Sequence, residues 1–534
     1  MAVGARCAPP ALAAAFAFQV SRAQGPQQVW ATAGAAALLG LALWAAASAK
    51  GAAAGRAALC LALAGASAAG FGSEAGPATT TLAGGGAEAP PVILITIDTL
   101  RADALHCCGE ASAAPAIASL ARDAISFEQA RSSAPWTVPA MAALLSGVSP
   151  WVTGSGPPGL IPAPEVPLLS DRLREAGYRT AAIGRNFLLS PWGSKERFAS
   201  GFDEVDFFPL SPRPETAALR RLREGAPELL RLEATSPDLA DKAVAWLDGA
   251  GPEPFFLWLH FFDPHAPYAP PAEDLPDGGA ASPVGRAVEQ PYLDAIREGE
   301  AEASPETIAA IRALYQAEFR ATDREVGRVL DRLRELGIYD RALIALTSDH
   351  GEEFYEHGGM VHGWTLHEEM LRVPLLIKPP GRPDGRRVEA VVGTIDLPPT
   401  LLELAGISFD ANEMQGRSLA CSWAAEPCAL EPRPELATSL IGRRSMRSAL
   451  VDGLKLIEEP AWGRSRLYDL AADPGERHDI AAQRPDAVAA GRAALEAHVA
   501  HSEALRKRWG IAGKAEAGYG RQDRDKLRSL GYIQ

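Results

Sequence analysis

Three mainly apolar runs, each followed by polar residues, dominate the pattern of hydrophobic and polar positions along the chain. They cover 92–97, 255–262 and 342–346. Runs of this length and composition are typical of buried parallel strands. The residues that follow them can bind metals: Asp98, then Asp263 with His265, then Asp349 with His350. Because ligand sites in open α/β sheets gather at the carboxyl ends of strands, we expect these side chains to meet at one edge.

Helical spacing of apolar residues separates the predicted strands. Apolar side chains recur every three or four positions between 304 and 336, which predicts one long helix. A shorter helix is predicted over 138–145, with Thr137 at its N-cap and Pro139 in its first turn. Strands that alternate with helices predict an α/β fold whose sheet is covered on both faces.

The first part of the chain predicts a membrane attachment. Positions 29–49 contain no charged residue and are long enough to cross a bilayer as a helix. Lys50 and Arg56 separate them from a second uncharged run, 57–72, and suggest a cytoplasmic turn. We therefore expect one or two transmembrane helices within 29–72, and the lipid bilayer as a partner.

Two other interpretations of this region stay open. Positions 10–20, after Arg6, could be the apolar part of a signal peptide within the N-terminal segment 1–28. Alternatively, a single anchor could lie in Ala-rich low-complexity sequence. Residues 73–90 are small, polar and rich in Gly, which predicts a flexible linker. The folded part then begins near Pro91, outside the membrane.

Composition and charge narrow the class of protein. Hydrophobic residues make up 47% of the chain and charged residues 22%, so wholesale disorder is not expected. The formal net charge of -14 argues against nonspecific binding of nucleic acid, since a phosphate backbone would be repelled. The six cysteines form no paired zinc pattern; Cys421 and Cys428 could pair if the domain is exported.

Three ordered blocks resemble the signatures of sulfatase-family hydrolases in the alkaline-phosphatase superfamily. They are VILITIDTLRADAL at 92–105, SSAPWTVPAMAALLSG at 132–147 and the segment from LTSDHGEE to LLIKPPG at 346–381. The resemblance extends over 91–534. It implies a large α/β/α sandwich with a central mixed sheet over 91–405 and a smaller C-terminal α+β subdomain over 406–534.

The resemblance also implies a metal site. By position, Asp98, Asp349 and His350 would hold a divalent cation. Thr99 stands where many sulfatases have a second Asp, and His350 stands where calcium-type sulfatases often have Asn. Both changes resemble the branch that cleaves phosphonates and phosphodiesters. A nitrogen ligand shifts preference from Ca toward Mn or Zn, and the identity among these three stays open.

Thr137 occupies the position of the sulfatase nucleophile. Sulfatases carry a Cys or Ser there that is converted to formylglycine, within a motif that ends in Arg. Here the motif reads Thr137 to Met141, so no formylglycine is expected. A Thr alkoxide beside a metal could still attack phosphorus, as in alkaline-phosphatase relatives. The alternative is that Thr137 merely caps its helix.

Further site residues are implied by position. His265 and His362 match residues that contact the transferring group or protonate the leaving oxygen, and imidazole suits both roles near neutral pH. Arg185 lies near the block that binds anionic oxygens. The other histidines of these blocks, His260, His357 and His367, are expected to be scaffold or rim residues.

These observations predict a metal-dependent hydrolase that cleaves phosphate mono- or diesters through Thr137, with an anionic ester as substrate. Three alternatives remain: a sulfuric ester hydrolase, an extracytoplasmic transferase of phospho-head-groups, and an anion-binding pseudoenzyme. We expect the protein in a bacterial inner membrane, with its catalytic domain periplasmic or otherwise extracytoplasmic.

Overall fold

The computed structural model describes most of the chain after residue 88. The described residues are 89–105, 114–155, 160–186, 188–190, 197–207, 236–275, 282–381, 385–423, 429–441, 444–511 and 515–516. Among them, no helix is both long and apolar enough to span a membrane. The helices predicted within 29–72 lie outside the described residues.

Within the described part of the chain, eight strands form one large sheet in the order β11-β2-β10-β7-β1-β6-β4-β5. These strands are β1 (Val92–Ile97), β2 (Ile125–Arg131), β4 (Arg179–Gly184), β5 (Glu204–Phe207), β6 (Phe255–Phe261), β7 (Leu343–Thr347), β10 (Leu375–Lys378) and β11 (Arg386–Gly393). Strand β10 runs antiparallel to β2 and β7, and the remaining pairs are parallel. The predicted mixed sheet is confirmed.

Both faces of the sheet are covered because alternate residues of each strand point to opposite sides. On β1, Ile93 and Ile95 face one hydrophobic core, whereas Val92 and Leu94 face another. The α-helices of the described residues are α1 (Pro115–Ala121), α2 (Thr137–Ser146), α3 (Pro150–Thr153), α4 (Leu169–Glu175), α5 (Ser236–Asp248), α6 (Gln290–Arg297), α7 (Pro305–Glu335), α8 (Glu368–Leu371), α9 (Leu397–Leu404) and α10 (Pro485–Arg508). Residues of α1, α5, α6 and α7 pack in the first core, and those of α2, α4 and α9 pack in the second.

The predicted C-terminal subdomain contains a second, antiparallel sheet. Its strands, in spatial order, are β12 (Glu435–Ile441), β13 (Arg444–Val451), β14 (Leu454–Glu459) and β15 (Arg464–Asp469). Leu456 and Leu467 pack against α10, whereas Ile457 and Tyr468 pack against α8. The small sheet therefore lies between the last helix and the segment that follows β7.

Short elements complete the described chain. Two-stranded pairs are formed by β3 (Leu160–Ile161) with β16 (Ala515–Glu516) and by β8 (Glu353–Phe354) with β9 (Met360–Val361). Short 3₁₀ helices cover Ala102–Leu105, Ala272–Asp274, Tyr339–Arg341, Thr394–Asp396, Ala411–Glu413, Ala420–Trp423 and Pro460–Trp462.

Two local predictions can be compared directly with the structure. The helix predicted over 304–336 is present as α7. The position of Thr137 as N-cap was wrong: α2 begins at Thr137 itself, and Trp136 is the N-cap. Trp136 has the extended backbone of a cap, so Thr137 can enter the first turn and direct its hydroxyl away from the helix.

Candidate active site

The carboxyl ends of four parallel strands meet at one edge of the large sheet. Asp98 follows β1, and Asp349 with His350 follows β7, the neighbour of β1 on one side. On the other side β6 leads to His265, and β4 leads to Arg185. Strand β2 runs in the same direction and leads, after five residues, to α2. The topology thus brings together reactive side chains from widely separated parts of the sequence.

Asp98, Asp349 and His350 form a buried group with metal-binding geometry. One ligand atom from each lies within 4.8 Å of the others. Nε2 of His350 is 3.4 Å from Oδ2 of Asp349 and 3.7 Å from Oδ1 of Asp98. All three side chains are inaccessible to solvent. Two carboxylates and an imidazole at this separation suit a divalent cation.

The hydrogen bonds of these residues leave their inner atoms for a cation. Nδ1 of His350 donates to the carbonyl of Gly351 at 2.9 Å, so Nε2 carries the lone pair. Oδ1 of Asp98 and Oδ2 of Asp349 have no hydrogen-bond partner among the described residues, although both are buried. Buried acceptors without a donor are costly unless a ligand satisfies them. The donor set therefore fits a divalent metal.

The titration of the three residues agrees with this fit. Burial would raise the pKa of Asp98, but its interactions with the imidazoles of His265, His260 and His350 hold the pKa well below its usual range. Burial, together with the nearby charge of Asp98, raises the pKa of Asp349 well above its usual value. Burial lowers the pKa of His350 to about 3, which keeps the imidazole neutral. Neutral imidazole is the form that binds metals.

Thr137 lies beside this group at the start of α2. Its Oγ1 is 3.3 Å from Nε2 of His350, and the residue is fully buried. Every residue of α2 is buried, and Gly147 ends the helix in the left-handed conformation, at φ 76°. The helix is thereby fixed in the core with its N-terminus at the site, where backbone N–H groups favour an anionic group.

Two further histidines, His265 and His362, lie close to His350. The ring centroids of His350 and His362 are 4.6 Å apart, and those of His362 and His265 are 4.8 Å apart. Nδ1 of His265 donates to the carbonyl of Ala266 at 2.5 Å. Burial lowers the pKa of His265, and it lowers the pKa of His362 to about 4. The ring of His362 thus contacts both His265 and the candidate metal ligand His350.

Sequence reasoning missed Glu352, which holds His362. Oε1 of Glu352 lies 3.0 Å from Nδ1 of His362, and Oε2 accepts a hydrogen bond from the hydroxyl of Tyr268 at 2.9 Å. Glu352 is fully buried, and burial raises its pKa to about 7. The signal available in the sequence was its place two residues after His350.

Sequence reasoning expected His260 to be a scaffold or rim residue and missed Asn186. Nδ2 of Asn186 donates to Oδ2 of Asp98 at 2.8 Å, and Nε2 of His260 lies 3.3 Å from the same oxygen. His260 is fully buried at the end of β6 and therefore contacts a candidate ligand directly. Arg185, next to Asn186, is buried after β4, with its backbone N–H on the carbonyl of His260.

Strained backbone flanks the site. Thr99 has a φ of 56° and Val361 a φ of 61°, in the left-handed region that β-branched residues rarely adopt. One follows Asp98 and the other precedes His362. The N–H of Thr99 donates to Oδ1 of Asp349 at 3.3 Å, and its carbonyl accepts from Tyr315 at 2.9 Å. Such strain persists where surrounding contacts enforce it, commonly at functional sites.

A second group, formed by Glu353, His357 and Glu369, also has metal-ligand spacing. Its atoms are already paired with each other. Nδ1 of His357 lies 2.7 Å from Oε1 of Glu369, and Nε2 of His357 lies 3.2 Å from the carbonyl of Glu476. Burial would lower the pKa of His357, but the hydrogen bond and charge of Glu369 outweigh it and raise the pKa. This group is an imidazolium–carboxylate pair.

Comparison with known proteins agrees with the fold. The family model described as Sulfatase matches residues 90–407. Arylsulfatase K of Bos taurus is 26% identical over 445 residues, covering 75% of this chain and 79% of the relative. The multifunctional alkaline phosphatase superfamily protein PehA of Trinickia caryophylli is 36% identical over 203 residues, which cover 34% of this chain and 39% of PehA.

Solved structures show the same fold. The phosphonate monoester hydrolase of Agrobacterium radiobacter superposes with a TM-score of 0.60 at 22% identity, covering 77% of this chain and 96% of that one. The 2-O GAG sulfatase BT1596 superposes with a TM-score of 0.60 at 21% identity, covering 83% and 96%.

Proposed function

We propose that this chain, which belongs to the sulfatase family, is a metal-dependent hydrolase of phosphate mono- or diesters that uses Thr137 as its nucleophile. Its family relatives are hydrolases of sulfate or phosphate esters. One observation carries the finer assignment: Oγ1 of Thr137 lies 3.3 Å from Nε2 of His350, at the N-terminus of α2.

The chemistry of a threonine favours phosphorus over sulfur. A formylglycine hydrate carries two hydroxyls on one carbon and can release sulfate by collapsing to an aldehyde. Thr137 carries one hydroxyl and one methyl, so this route is closed to it. Its adduct must be released by attack of water on the transferred centre, as in phosphoenzymes.

Asp98, Asp349 and His350 would hold the cation, because their inner atoms converge and lack other partners. A bound divalent cation would supply Lewis-acid polarisation of the ester oxygens and would lower the pKa of a nearby hydroxyl. The N–H groups at the start of α2 and the guanidinium of Arg185 would bind the anionic oxygens of the substrate.

The side chains then act in two half-reactions. The negative charge of the bound substrate favours the protonated form of His362, whose pKa is otherwise lowered by burial. Oγ1 of Thr137 gives its proton to a water molecule and attacks phosphorus; the bond from phosphorus to the alcohol oxygen breaks, and His362 gives that oxygen a proton. Because Nδ1 of His362 faces Glu352, Nε2 is the nitrogen that acts. In the second half, water attacks phosphorus and His362 takes its proton. The bond from phosphorus to Oγ1 breaks, and Oγ1 takes a proton back from water, so that Thr137 and His362 both return to their starting states.

Hydrolysis of sulfuric esters is the second candidate. It is favoured by the relatives named arylsulfatase K, which align with 62–75% of this chain. Thr137 would then attack sulfur without prior modification.

We further propose that the catalytic domain is extracytoplasmic and tethered by the uncharged run at 29–49. Cys421 is disulfide-bonded in the structure. Disulfides persist in oxidising compartments, which supports this location.

The experiment is a paired assay on the metal-reconstituted protein with an aryl phosphate, an aryl phosphodiester and an aryl sulfate that share one leaving group. Turnover of a phosphorus substrate well above that of the sulfate supports the proposal. Faster turnover of the aryl sulfate would instead identify the protein as a sulfatase. No turnover of any of the three substrates after reconstitution would reject both phosphoester and sulfate-ester hydrolysis.

A further inference from the structure

The two carboxylate oxygens of Asp98 have different surroundings. Oδ2 accepts a hydrogen bond from Nδ2 of Asn186 at 2.8 Å and lies 3.3 Å from Nε2 of His260. Oδ1 has no hydrogen-bond partner among the described residues and lies 3.7 Å from Nε2 of His350. The carboxylate is thus held with one oxygen toward the scaffold and the other toward the candidate metal site.

The orientation of the Asn186 side chain is fixed by the backbone N–H of Leu188. Its Oδ1 accepts the N–H of Leu188 at 2.9 Å, so the amide must present its NH₂ group to Asp98. Asn186 is 1% exposed, and its carbonyl accepts the N–H groups of Leu189 and Ser190. A reversed amide would lose the bond to Leu188 and place an oxygen against the carboxylate.

His260 is fixed by a chain of hydrogen bonds behind it. Nε1 of Trp258 donates to Oγ1 of Thr96 at 2.9 Å, and that hydroxyl lies 2.8 Å from Nδ1 of His260. The hydroxyl proton can go to Nδ1 of His260 or to the carbonyl of Leu259, which is 3.3 Å away. In the first arrangement the neutral ring carries its proton on Nε2. In the second, Nδ1 donates to Oγ1 of Thr96, and a bare Nε2 would face the carboxylate of Asp98, so the first arrangement is favoured.

We propose that Asn186 and His260 are positioning residues for the metal: by occupying Oδ2 of Asp98, they leave Oδ1 as the single oxygen that this residue offers to the cation. The inference rests on the metal site of the proposed function. Partners of this kind orient ligands and typically raise metal affinity 10- to 100-fold. Ca²⁺ takes six to eight oxygens and often bidentate carboxylates, whereas Mn²⁺ and Zn²⁺ accept fewer ligands and nitrogen. If Asp98 offers the cation only one carboxylate oxygen, the site should therefore favour Mn²⁺ over Ca²⁺.

The test measures metal binding, which needs no substrate. The full chain in detergent is stripped with chelator, and the Kd values for Mn²⁺ and Ca²⁺ are measured by calorimetry with the metal-induced shift in Tm. The variants are His260→Ala, Asn186→Ala and the conservative His260→Gln, whose amide can still donate to Oδ2. The control is His498→Gln in α10, outside the site.

We expect His260→Ala and Asn186→Ala each to weaken Mn²⁺ binding by about 10- to 100-fold and to lower the preference for Mn²⁺ over Ca²⁺. His260→Gln should retain much of the affinity, and His498→Gln all of it. The Tm of the metal-free variants separates positioning from folding. If His260→Ala does not fold, Asn186→Ala and His260→Gln decide the question.

Wild-type affinity and an unchanged Mn²⁺ to Ca²⁺ preference in folded Asn186→Ala and His260→Ala would overturn the inference while leaving the proposed function intact. A wild-type protein that binds no divalent cation would remove the metal site itself, and both proposals with it.

Discussion

Nδ1 of His362 lies 3.0 Å from Oε1 of Glu352, and both side chains are buried. The hydroxyl of Tyr268 donates to the other oxygen of Glu352, so the carboxyl group is held from both sides. A buried carboxyl group bonded to one nitrogen of an imidazole fixes which nitrogen faces a substrate and stabilises positive charge on the ring. Glu352 thereby gives His362 the orientation that a general acid requires.

The first prediction concerns this pair. Glu352→Gln keeps the shape of the side chain but removes its charge, so His362 should protonate leaving oxygens poorly. We expect turnover of esters with poor alkyl leaving groups to fall by a large part of the roughly 10²–10⁴-fold that general acids supply. Aryl esters with acidic leaving groups should be much less affected. The measurement is the dependence of kcat on leaving-group pKa.

Tyr268→Phe is the matched control, because it keeps the ring and removes only the hydroxyl on Oε2. We expect kcat of Tyr268→Phe to depend on leaving-group pKa more steeply than kcat of wild type, but less steeply than kcat of Glu352→Gln. If Glu352→Gln slows all leaving groups equally, Glu352 supports the fold of the site and does not position the acid.

The second prediction concerns Asp349. Its Oδ1 accepts the N–H groups of Thr99 and His350, whereas Oδ2 lacks a hydrogen-bond partner among the described residues. Asp349→Asn can still accept the two N–H groups but loses the carboxylate oxygen that would bind the cation. Metal content and activity should therefore disappear together, and we expect the same loss in Asp349→Ala. Elemental analysis measures the metal, and thermal unfolding in chelator measures the fold.

Asn is neutral, so it also removes the buried carboxyl whose pKa is raised beside Asp98. In chelator at neutral pH, Asp349→Asn should therefore unfold at the same temperature as wild type or higher. Stoichiometric metal in active Asp349→Asn would show that the cation lies elsewhere.

The third prediction is a pH dependence of stability from His357. The contact with Glu369 raises its pKa in the folded state above the ordinary value of 6.5. The stabilisation that the contact between His357 and Glu369 gives the folded state is thus fully present below pH 6.5. It is lost as pH rises through the pKa of His357 in the folded state. His357→Gln should lower the free energy of unfolding by about 1.5–3 kcal/mol at pH 6, the range for hydrogen bonds to charged groups, and by progressively less at higher pH.

The measurement is the free energy of unfolding in denaturant for wild type and variant at several pH values, since other titrating groups cancel in the difference. His478→Gln is the control: that side chain is 81% exposed and lies 3.4 Å from Asp473, so it should change stability by less than about 0.5 kcal/mol. A pH-independent cost for His357→Gln would contradict the charged pair.

The fourth prediction concerns the uncharged run at 29–49. Full-length protein should sediment with membranes, whereas a chain that begins at Pro91 should stay in the supernatant after ultracentrifugation. Full-length protein that remains in the supernatant with an intact N-terminus would contradict the anchor.

The strand-end ligands could be predicted from the sequence because their signal is local. An apolar strand that ends in Asp98, or in Asp349 and His350, identifies both the buried strand and the side chain at its carboxyl end. The sequence pattern did not reveal that β10 inserts antiparallel between β2 and β7, since neither direction nor neighbour is encoded in a four-residue apolar strand.

Residues that act through others could not be predicted in this way. Asn186 reaches Asp98 across 88 positions of sequence, and His260 across 162. Their roles follow from strand order, which places β6 beside β1 and β4 beside β6. Glu352 could have been predicted, because it stands two residues after His350. Its partner Tyr268 could not, because it lies 84 residues away on another loop.

The last prediction concerns Thr137, where the chain departs furthest from the sulfatase pattern. Its hydroxyl lies 3.3 Å from Nε2 of His350 at the start of a buried helix, so it is close to the candidate cation and to the N–H groups that would bind the oxyanion. Thr137→Ala should lower turnover by several orders of magnitude, and Thr137→Ser should keep a substantial part. Thr137→Cys should gain no sulfatase activity even with a maturase, because Met141 stands where the modification motif has Arg.

The decisive measurement is an acid quench during turnover of a phosphoester, followed by mass analysis of the peptide that contains Thr137. A phosphate adduct on Thr137 in wild type, absent in Thr137→Ala, would establish covalent catalysis. If Thr137→Ala is fully active, water attacks phosphorus directly. The hydroxyl would then contribute only its contact with His350, and the metal group and His362 would remain the centre of the chemistry.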